Sequence, residues 1–412
     1  MKIVSCFFTP DFPVPERFLS GMNVFFDIET TGLNWRRSHL YLIGAAIYHP
    51  ESKIWELIQW FADEPARELD LLDAFAEFLV PFQRIIHYNG AGFDLPYLQK
   101  KYEFFRREVP FCEMDTLDLY RKFRPFQKLF GLPSMKQKSL EAFAGFSRED
   151  TFSGGDLIYA YEEYLASANP ALLKTLYLHN KEDVLGMVQI LSLYGLADLF
   201  SGNFTISGIT LSPPSLILSL SLEVPVFLPF TRKSGVFSVT ADQKLARLEI
   251  QGQQRELKFF FPNYKDYYYL PLEDTAIHKS VGAYVDAEHR EKAKASNCYQ
   301  RHQSLFFPQP SEIISPVFRE EYKAKECFFE WKDSLSEEKD LLSQYAAAVL
   351  SHQGHLWSSL IAFLPLIRLF LRLHSLPSAH PAFSSSEYGS DVDRHPRTVG
   401  LNDPAAFCFF PG

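Results

Sequence analysis

Two carboxylates, Asp27 and Glu29, stand two residues apart in the apolar segment VFFDIE (24–29). Successive side chains of a β-strand leave opposite faces, so these two share one face while Phe26 and Ile28 share the other. Crowded carboxylates repel each other, and a hard divalent cation such as Mg²⁺ or Mn²⁺ relieves that repulsion through oxygen ligands. The pair alone would better fit an exposed edge strand. Its apolar neighbours and the tight turn TTGL that follows favour a metal-binding strand.

A third carboxylate, Asp94, lies in HYNGAGFDLPYL (87–98), which has the pattern of a strand end, an Asn-Gly turn and a helix start. An acid in a first helical turn can also serve only the helix dipole, so two interpretations stay open. Tyr88 and Asn89 border this carboxylate. For Asn89, capping of the turn is the alternative to a nucleic-acid contact.

The segment YLHNKEDVLG (177–186) supplies a fourth acid together with a histidine. His179 and Asp183 are four residues apart, so they share one face if the segment is helical. Histidine titrates near neutral pH and can hold or deprotonate a water molecule. The alternative for His179 is a structural histidine between helix and sheet.

The elements that must position these residues can be read from the apolar pattern. VFFDIE, LYLIGAAIYH and KIWELIQWF predict three antiparallel strands, with a turn at 50–52. A helical pattern, the strand RIIHYN and a second helical pattern follow, which adds a parallel strand. Further helices are predicted at 138–145, at 155–168, and from Pro170 to about 197. Residues 1–200 are therefore predicted to form a mixed α/β sheet flanked by helices.

Residues 201–350 change to short β-type runs separated by Gly, Pro and Asn, with helical patterns at 274–295 and 336–350. This composition predicts a smaller, β-rich α+β accessory domain. Residues 351–412 contain no lysine and many Ser and Pro, and predict a poorly ordered, atypical tail. Its apolar block, LWSSLIAFLPLIRLFLRL, is broken by Pro and Arg and falls short of the ~20 clean residues of a membrane span.

Composition narrows the class of protein. The 412 residues are 47% hydrophobic, which is enough for two or three folded domains. Five scattered cysteines without a C-x-x-C pair indicate neither a disulfide framework nor a thiolate zinc site, and the N-terminus lacks the pattern of a signal peptide. We expect a cytoplasmic protein with no membrane partner. A net charge of −9 means that any nucleic-acid site must be local.

The order of these segments resembles that of one family, the ribonuclease-H-like DEDD exonucleases, and within this family the YprB-type group. The resemblance covers about residues 20–197 and rests on blocks in the family's order: DIETTGL (27–33), YNGAGFDLPYL (88–98), DTLDLYRKF (115–123), REDTFSGGD (148–156) with YEEYL (161–165), and HNKEDVLGM (179–187). It implies a ribonuclease-H-like, mixed five-stranded sheet with three antiparallel strands plus parallel strands.

The resemblance also implies a site and a reaction. Asp27, Glu29, Asp94 and Asp183 would bind two divalent cations, Mg²⁺ or Mn²⁺, for two-metal hydrolysis of phosphodiester bonds. Nucleoside monophosphates would leave from the 3′ ends of single-stranded DNA or RNA. The turn after the first strand would contact the terminal nucleotide through Thr30, Thr31, Gly32 and Leu33, and a plain tight turn is the alternative.

The chain departs from the family at one position, because the best-known branches place Tyr four residues or His five residues before the last aspartate. Here His179 stands at the tyrosine's spacing, and we expect it to act as the general base or to position the water. Residues 100–138 carry ten Lys or Arg against five Asp or Glu, so a phosphate backbone could run there, with Lys138 as the first candidate contact. A solvated helix face is the alternative interpretation of this basic stretch.

Two other classes stay open. One is a catalytically weak or inactive nuclease fold that only binds nucleic acid, and the other is a non-nuclease phosphohydrolase or interaction scaffold. The presence of all four carboxylates favours the exonuclease. DNA and RNA cannot be distinguished from the sequence.

Overall fold

The computed structural model describes residues 1–356, with side chains to 352. The predicted tail falls almost entirely on 357–412, outside the described residues. The chain forms two compact units: Met1–Gln127 with Leu132–Ile190, and Lys128–Gly131 with the described residues from Leu191 onward.

The first unit contains a mixed sheet. Its strands are β1 (Lys2–Phe8), β2 (Asn23–Thr30), β3 (Leu40–His49), β4 (Ile54–Phe61), β5 (Arg84–His87) and β6 (Asp115–Asp118). They lie in the order β1-β4-β3-β2-β5-β6; the first four are antiparallel, and β5 and β6 are parallel to β2. The mixed sheet with three central antiparallel strands is confirmed. It has six strands rather than five, because the N-terminal segment adds β1 at one edge.

Six helices belong to this unit: α1 (Glu68–Leu79), α2 (Asp94–Phe104), α3 (Leu119–Phe123), α4 (Gln137–Phe143), α5 (Gly154–Ser167) and α6 (Pro170–Ile190). Ser153 caps α5 with a capping box, since its side chain and that of Asp156 exchange hydrogen bonds with each other's backbone. Pro170 begins α6. Proline suits the first helical position because its fixed φ is compatible with a helix and an N–H there would have no partner within the helix.

Both faces of the sheet are covered, because residues of the central strands alternate between two cores. Phe26, Ile28 and Ile43 pack with Leu71 and Phe75 of α1 and with residues of α2. Tyr41, Leu42 and Phe61 pack on the opposite face, against Tyr161 of α5 and Leu176 and Tyr177 of α6. Each such buried side chain contributes about 1.5–3 kcal/mol. The face opposite Phe26 and Ile28, which includes Asp27 and Glu29, is therefore the face covered by α6.

The second unit begins with α7 (Tyr194–Ser201) and is β-rich, as predicted. A five-stranded sheet has the order β7-β8-β11-β10-β9, four strands close into a small barrel, β12-β16-β18-β17, and three form the sheet β14-β13-β15. The bounds are β7 (Thr205–Ser212), β8 (Ser215–Ser221), β9 (Phe230–Ser234), β10 (Phe237–Asp242), β11 (Leu245–Gln251), β12 (Gln253–Phe260), β13 (Tyr267–Leu270), β14 (Thr275–His278), β15 (Glu291–Lys292), β16 (Tyr299–Gln309), β17 (Val317–Arg319) and β18 (Cys327–Glu330), with helices α8 (Lys279–Gly282) and α9 (Lys339–Leu356).

The helical pattern predicted at 274–295 is wrong over most of its length. Thr275–His278 pairs with Tyr267–Leu270 as an antiparallel ribbon, and only four residues form α8. Ala276 and Ala293 are buried against the aromatic residues of this ribbon, so tertiary packing overrides the local helical spacing. The helix predicted at 336–350 is present as α9.

One stretch of the described chain, Pro170–Ser201, is long and apolar enough to cross a membrane by length and composition. Of its most apolar window, 89% is buried inside the protein. This burial is typical of a core helix.

Candidate metal and catalytic site

Strand β2 presents Asp27 and Glu29 on one face, as the alternation predicts. Phe26 and Ile28 are buried on the other face, in the core with α1 and α2. Asp27 lies opposite Gly44 of β3 in the antiparallel register. The first two carboxylates thus stand on a central strand, with a glycine opposite Asp27.

Asn180 of α6 fixes the orientation of Asp27. Its Nδ2 donates a hydrogen bond to Asp27 Oδ2 at 3.1 Å, and its Oδ1 accepts from Gln59 Nε2 at 2.9 Å. A Cβ on Gly44 would lie 2.0 Å from Asn180 Oδ1, so the close approach of α6 to the sheet requires glycine here. Sequence reasoning missed Asn180, although it stands next to His179.

Asp94 is the first residue of α2 and follows a tight turn. Asn89 has a left-handed φ of 60°, and the Gly90 N–H donates to His87 Nδ1 at 3.0 Å. A Cβ on Gly90 would lie 2.7 Å from Asp94 Oδ2, so the turn packs directly against the carboxylate. Burial, opposed by a backbone hydrogen bond and reinforced by the charge of Asp183, raises the pKa of Asp94 to about 7.

Helix α6 brings His179 and Asp183 to the same place. His179 Nε2 lies 3.1 Å from Asp183 Oδ2 and 3.7 Å from Glu29 Oε1. Ligand atoms of Glu29, His179 and Asp183 all lie within 4.8 Å of one another, a spacing at which they could hold a metal ion. The predicted shared face of His179 and Asp183 is present, and it points at the carboxylates of β2.

The four carboxylates influence one another's ionisation. Burial, then the charges of Asp183, Glu29 and Asp94, raise the pKa of Asp27 well above its usual range. Burial also raises the pKa of Glu29 to about 8, although His179 opposes the rise. Crowded carboxylates that resist full ionisation are relieved by a divalent cation, and their oxygen atoms suit a hard ion such as Mg²⁺ or Mn²⁺.

Known proteins are similar to parts of this chain. Residues 24–194 match the family model of the RNase_H superfamily. These residues form a ribonuclease H-like domain. The uncharacterized protein YprB of Bacillus subtilis (strain 168) is 27% identical over 173 residues, and the match spans 40% of this chain and 40% of YprB. The family B DNA polymerase of the hyperthermophilic archaeon Pyrobaculum calidifontis is similar with a TM-score of 0.35 and 13% identity, over 58% of this chain and 40% of the polymerase.

Arg148 of the ribonuclease H-like domain neutralises two of the buried acids. Its guanidinium donates to Glu141 at 2.6 and 2.7 Å and to Asp183 Oδ1 at 2.5 Å. Gln137 Nε2 donates to Glu141 Oε1 at 2.8 Å and to the Asp183 carbonyl at 2.7 Å. Although burial opposes it, the hydrogen bond from His179 and the charge of Arg148 hold the pKa of Asp183 below its usual range.

Asp150 fixes the imidazole of His179. Asp150 Oδ2 lies 2.7 Å from His179 Nδ1, and a carboxylate can only accept, so Nδ1 carries the hydrogen. Glu182 of α6 holds the loop that contains Asp150, because its carboxylate accepts hydrogen bonds from the backbone N–H groups of Glu149 and Asp150 at 2.8 and 2.9 Å. Burial lowers the pKa of His179, but the Asp183 hydrogen bond and the charges of Glu29, Asp183 and Asp150 outweigh it and raise that pKa to about 9.

Sequence reasoning assigned no role to Arg148, Asp150, Glu141 or Gln137. The block REDTFSGGD contains the first two, but only the fold shows what they contact. Lys138, the candidate phosphate contact, donates to Asp150 Oδ2 at 3.2 Å and to the Phe152 carbonyl at 3.1 Å. Its side chain is 48% exposed, so a contact with nucleic acid stays a prediction.

The turn after β2 lies beside the acids. Thr30 donates to the Gly32 carbonyl at 3.0 Å, and the Thr31 hydroxyl accepts the His39 N–H at 2.8 Å. These bonds hold the turn closed and leave Leu33 84% exposed. An exposed apolar side chain four residues after Glu29 is available to a ligand. Its contact with a terminal nucleotide stays a prediction.

Proposed function

We propose that the ribonuclease H-like domain is a metal-dependent 3′-to-5′ exonuclease that hydrolyses phosphodiester bonds at single-stranded nucleic-acid ends. One observation carries the proposal: ligand atoms of Glu29, His179 and Asp183 lie within 4.8 Å of one another, and the charge of Asp94 acts on Asp27 and Glu29 in the same group. Such a group is costly unless cations are bound to it. A nuclease fold with this centre is best suited to hydrolysis of a phosphodiester.

The same four carboxylates would hold two Mg²⁺ or Mn²⁺ ions. When bound there, the ions would supply activation of an attacking water and stabilisation of the departing 3′ oxygen. The task of the chain is then to orient the four carboxylates and to manage a proton. Asn180 orients Asp27, and Arg148 orients Asp183.

His179 is suited to accept the proton of the attacking water at Nε2. The hydrogen bond from Nδ1 to Asp150 leaves Nε2 directed at Glu29 and Asp183. Those two negative charges hold its pKa high, and they would be neutralised by bound cations. Burial would then lower the pKa of His179 toward the working range of a general base.

The turn Thr30–Leu33 supports action at a chain end. A closed turn beside Glu29, with Leu33 exposed, offers an apolar surface on which a terminal base can pack. Tyr88 and Asn89 stand on the other side of Asp94 and can contact the same strand. We therefore propose an exonuclease rather than an endonuclease.

A second function is favoured by one observation. Both oxygens of Asp183 are engaged by cationic groups of the chain itself, Oδ1 by Arg148 and Oδ2 by His179. A centre neutralised in this way could bind nucleic acid without catalysing hydrolysis. The two candidates differ in whether Mg²⁺ or Mn²⁺ displaces these contacts.

The test uses 3′- and 5′-labelled single strands of DNA and RNA, with Mn²⁺, with Mg²⁺ and with a chelator. Wild type should release mononucleotides from the 3′ end only when metal is present. Asp94→Asn should abolish release, whereas the matched control Asp115→Asn, at an exposed aspartate of β6, should retain it. Release by Asp94→Asn, or none by wild type with either metal, would refute the exonuclease.

His179→Ala tests the general base separately. We expect substrate binding to be retained and turnover to fall by about 10²–10⁴-fold. Unchanged turnover would remove His179 from the mechanism while leaving the metal centre in place. Strands that bind but are never cleaved, with or without metal, would support the second function.

A further inference from the structure

A polar cavity of about 640 Å³ opens in the ribonuclease H-like domain beside the carboxylate centre. Its lining includes Tyr88, Asn89, Tyr120, Arg124, Lys136 and Gln137. These residues come from the turn before α2, from α3 and the residue after it, and from the start of α4. Sequence reasoning singled out only the first two.

Hydrogen bonds connect the cavity walls. Asp118 Oδ1 caps α3 through the Tyr120 N–H at 3.0 Å and also accepts the Asn89 N–H at 2.9 Å. The Tyr88 hydroxyl donates to the Met135 carbonyl at 2.6 Å. The turn, α3 and the segment before α4 therefore hold a fixed arrangement around the cavity.

Two contacts place the cavity next to the reacting centre. Gln137, in the lining, donates to the Asp183 carbonyl at 2.7 Å. Asn89, also in the lining, precedes Gly90, and Gly90 lies so close to the Asp94 carboxylate that a Cβ on it would be 2.7 Å from Asp94 Oδ2. A strand that leaves Asp94 and Asp183 on this side would therefore meet the cavity next.

The charge of the cavity is opposite to that of the centre. Arg124 and Lys136 are exposed in its lining, and within the described part of the chain neither has a carboxylate partner. No Asp or Glu is among the lining residues. A lining with two cationic side chains and no acid suits phosphate groups. Such a locally positive surface is unusual in a chain of net charge −9.

Aromatic rings complete the lining. Tyr88 and Tyr120 meet edge to face with centroids 6.0 Å apart, and the Arg124 guanidinium lies 5.9 Å from the Tyr120 ring centroid. Rings with neighbouring cations are the means by which proteins hold unpaired bases and their backbone. Gln137 and Asn89 add amide groups that can hydrogen-bond to a base edge or a sugar.

We propose that this cavity binds the nucleotides on the 5′ side of the scissile phosphate, with Arg124 and Lys136 contacting the backbone phosphates and Tyr120 contacting a base. The proposal rests on the exonuclease function. It assigns substrate selection to a second subsite, which requires a single strand several nucleotides long. A mononucleotide ester has no backbone phosphate on the 5′ side of the scissile one, so it would fill the carboxylate centre without contacting Arg124 or Lys136.

The test compares two substrates, the p-nitrophenyl ester of thymidine 5′-monophosphate and a thymidine tetranucleotide. For each variant, Arg124→Ala and Lys136→Ala, we expect kcat/KM for the tetranucleotide divided by kcat/KM for the ester to fall by about tenfold. The fall should come from a higher KM for the tetranucleotide. Each should also reduce the slope of log affinity against log salt for the tetranucleotide by about 0.7. Lys174→Ala, at an exposed lysine of α6 outside the cavity lining, is the matched control and should leave the ratio unchanged.

The readouts separate the failure of this proposal from the failure of the function. Equal losses on both substrates, or no loss on either, would overturn the cavity as a substrate subsite. If wild type hydrolyses neither substrate, the exonuclease fails, and binding of a fluorescent tetranucleotide decides the cavity. Weaker binding by the two variants but not by Lys174→Ala would then support the subsite, and unchanged binding would overturn it.

Discussion

Metal binding to the carboxylate centre should depend steeply on pH. The pKa of Glu29 is raised to about 8 and that of Asp94 to about 7, while a metal ligand must be deprotonated. From about pH 9 to about pH 6 the ionised fraction falls roughly a hundredfold for Glu29 and roughly tenfold for Asp94. We therefore expect the apparent affinity for Mn²⁺ to fall by about a thousandfold over this range.

The stability of the metal-free protein should change in a related way. The folded pKa of Glu29 exceeds its unfolded value, so this group's contribution is full below about pH 4.5 and is lost as pH rises through about 8. His179 acts in the same direction, because its raised pKa contributes stability below about pH 6.5 that is lost as pH rises through about 9. The Tm without metal should therefore fall between about pH 5 and about pH 9.

Calorimetric titration with Mn²⁺ at several pH values, in buffers of different ionisation enthalpy, measures both the affinity and the protons released. Near pH 6 the carboxyl groups of Glu29 and Asp94 should together release one to two protons per site, and near pH 9 almost none, so the release that remains near pH 9 comes from His179. Glu29→Gln is the comparison, since it should weaken binding and remove part of the pH dependence. An affinity that is the same at both ends of the range would refute the reasoning from burial and mutual repulsion.

Three further predictions concern the groups that orient the site. Gly44→Ala should force Asn180 aside, lower the free energy of unfolding by about 1–3 kcal/mol and reduce activity; an unchanged urea midpoint would contradict it. Arg148→Met leaves the carboxylates of Glu141 and Asp183 without their cation, so the free energy of unfolding should fall by about 3–5 kcal/mol in the same urea assay. A fall of less than ~1 kcal/mol would contradict this prediction. Asp150→Asn removes a charge that raises the pKa of His179, so the ascending limb of the pH–rate profile should move to lower pH; an unmoved limb would argue against the general base.

Local spacing was enough to predict which candidate residues share a face on a regular element, whereas their assignment to one site came from the family resemblance. Asp27 and Glu29 share a face because the period of a strand is two, and His179 and Asp183 do so because they are one helical turn apart. Asp94 followed from the pattern of a strand, an Asn-Gly turn and a helix start. In each case a short stretch of chain fixes the relation between the residues.

The remaining parts depend on how distant segments meet. Arg148 and Asp150 lie in an irregular loop, and their contacts with Asp183 and His179 bridge about thirty residues of sequence. The N-terminal strand β1 was missed because an edge strand needs a partner, here β4, that its own sequence does not specify. In the second unit, the helical spacing at 274–295 was misleading because strand pairing with the tyrosine-rich β13 prevailed.

Three residues within two turns of helix α6 each contact a different part of the domain: Asn180 contacts β2 and β4, Glu182 binds the loop at 149–150, and Gly186 lies against Glu141 of α4. We therefore expect the carboxylate centre to unfold as one cooperative unit together with α6. Amide hydrogens along the middle of this helix should exchange together, with the opening free energy of the whole helix rather than that of a frayed end. A nuclease built this way would lose its ligands all at once on heating.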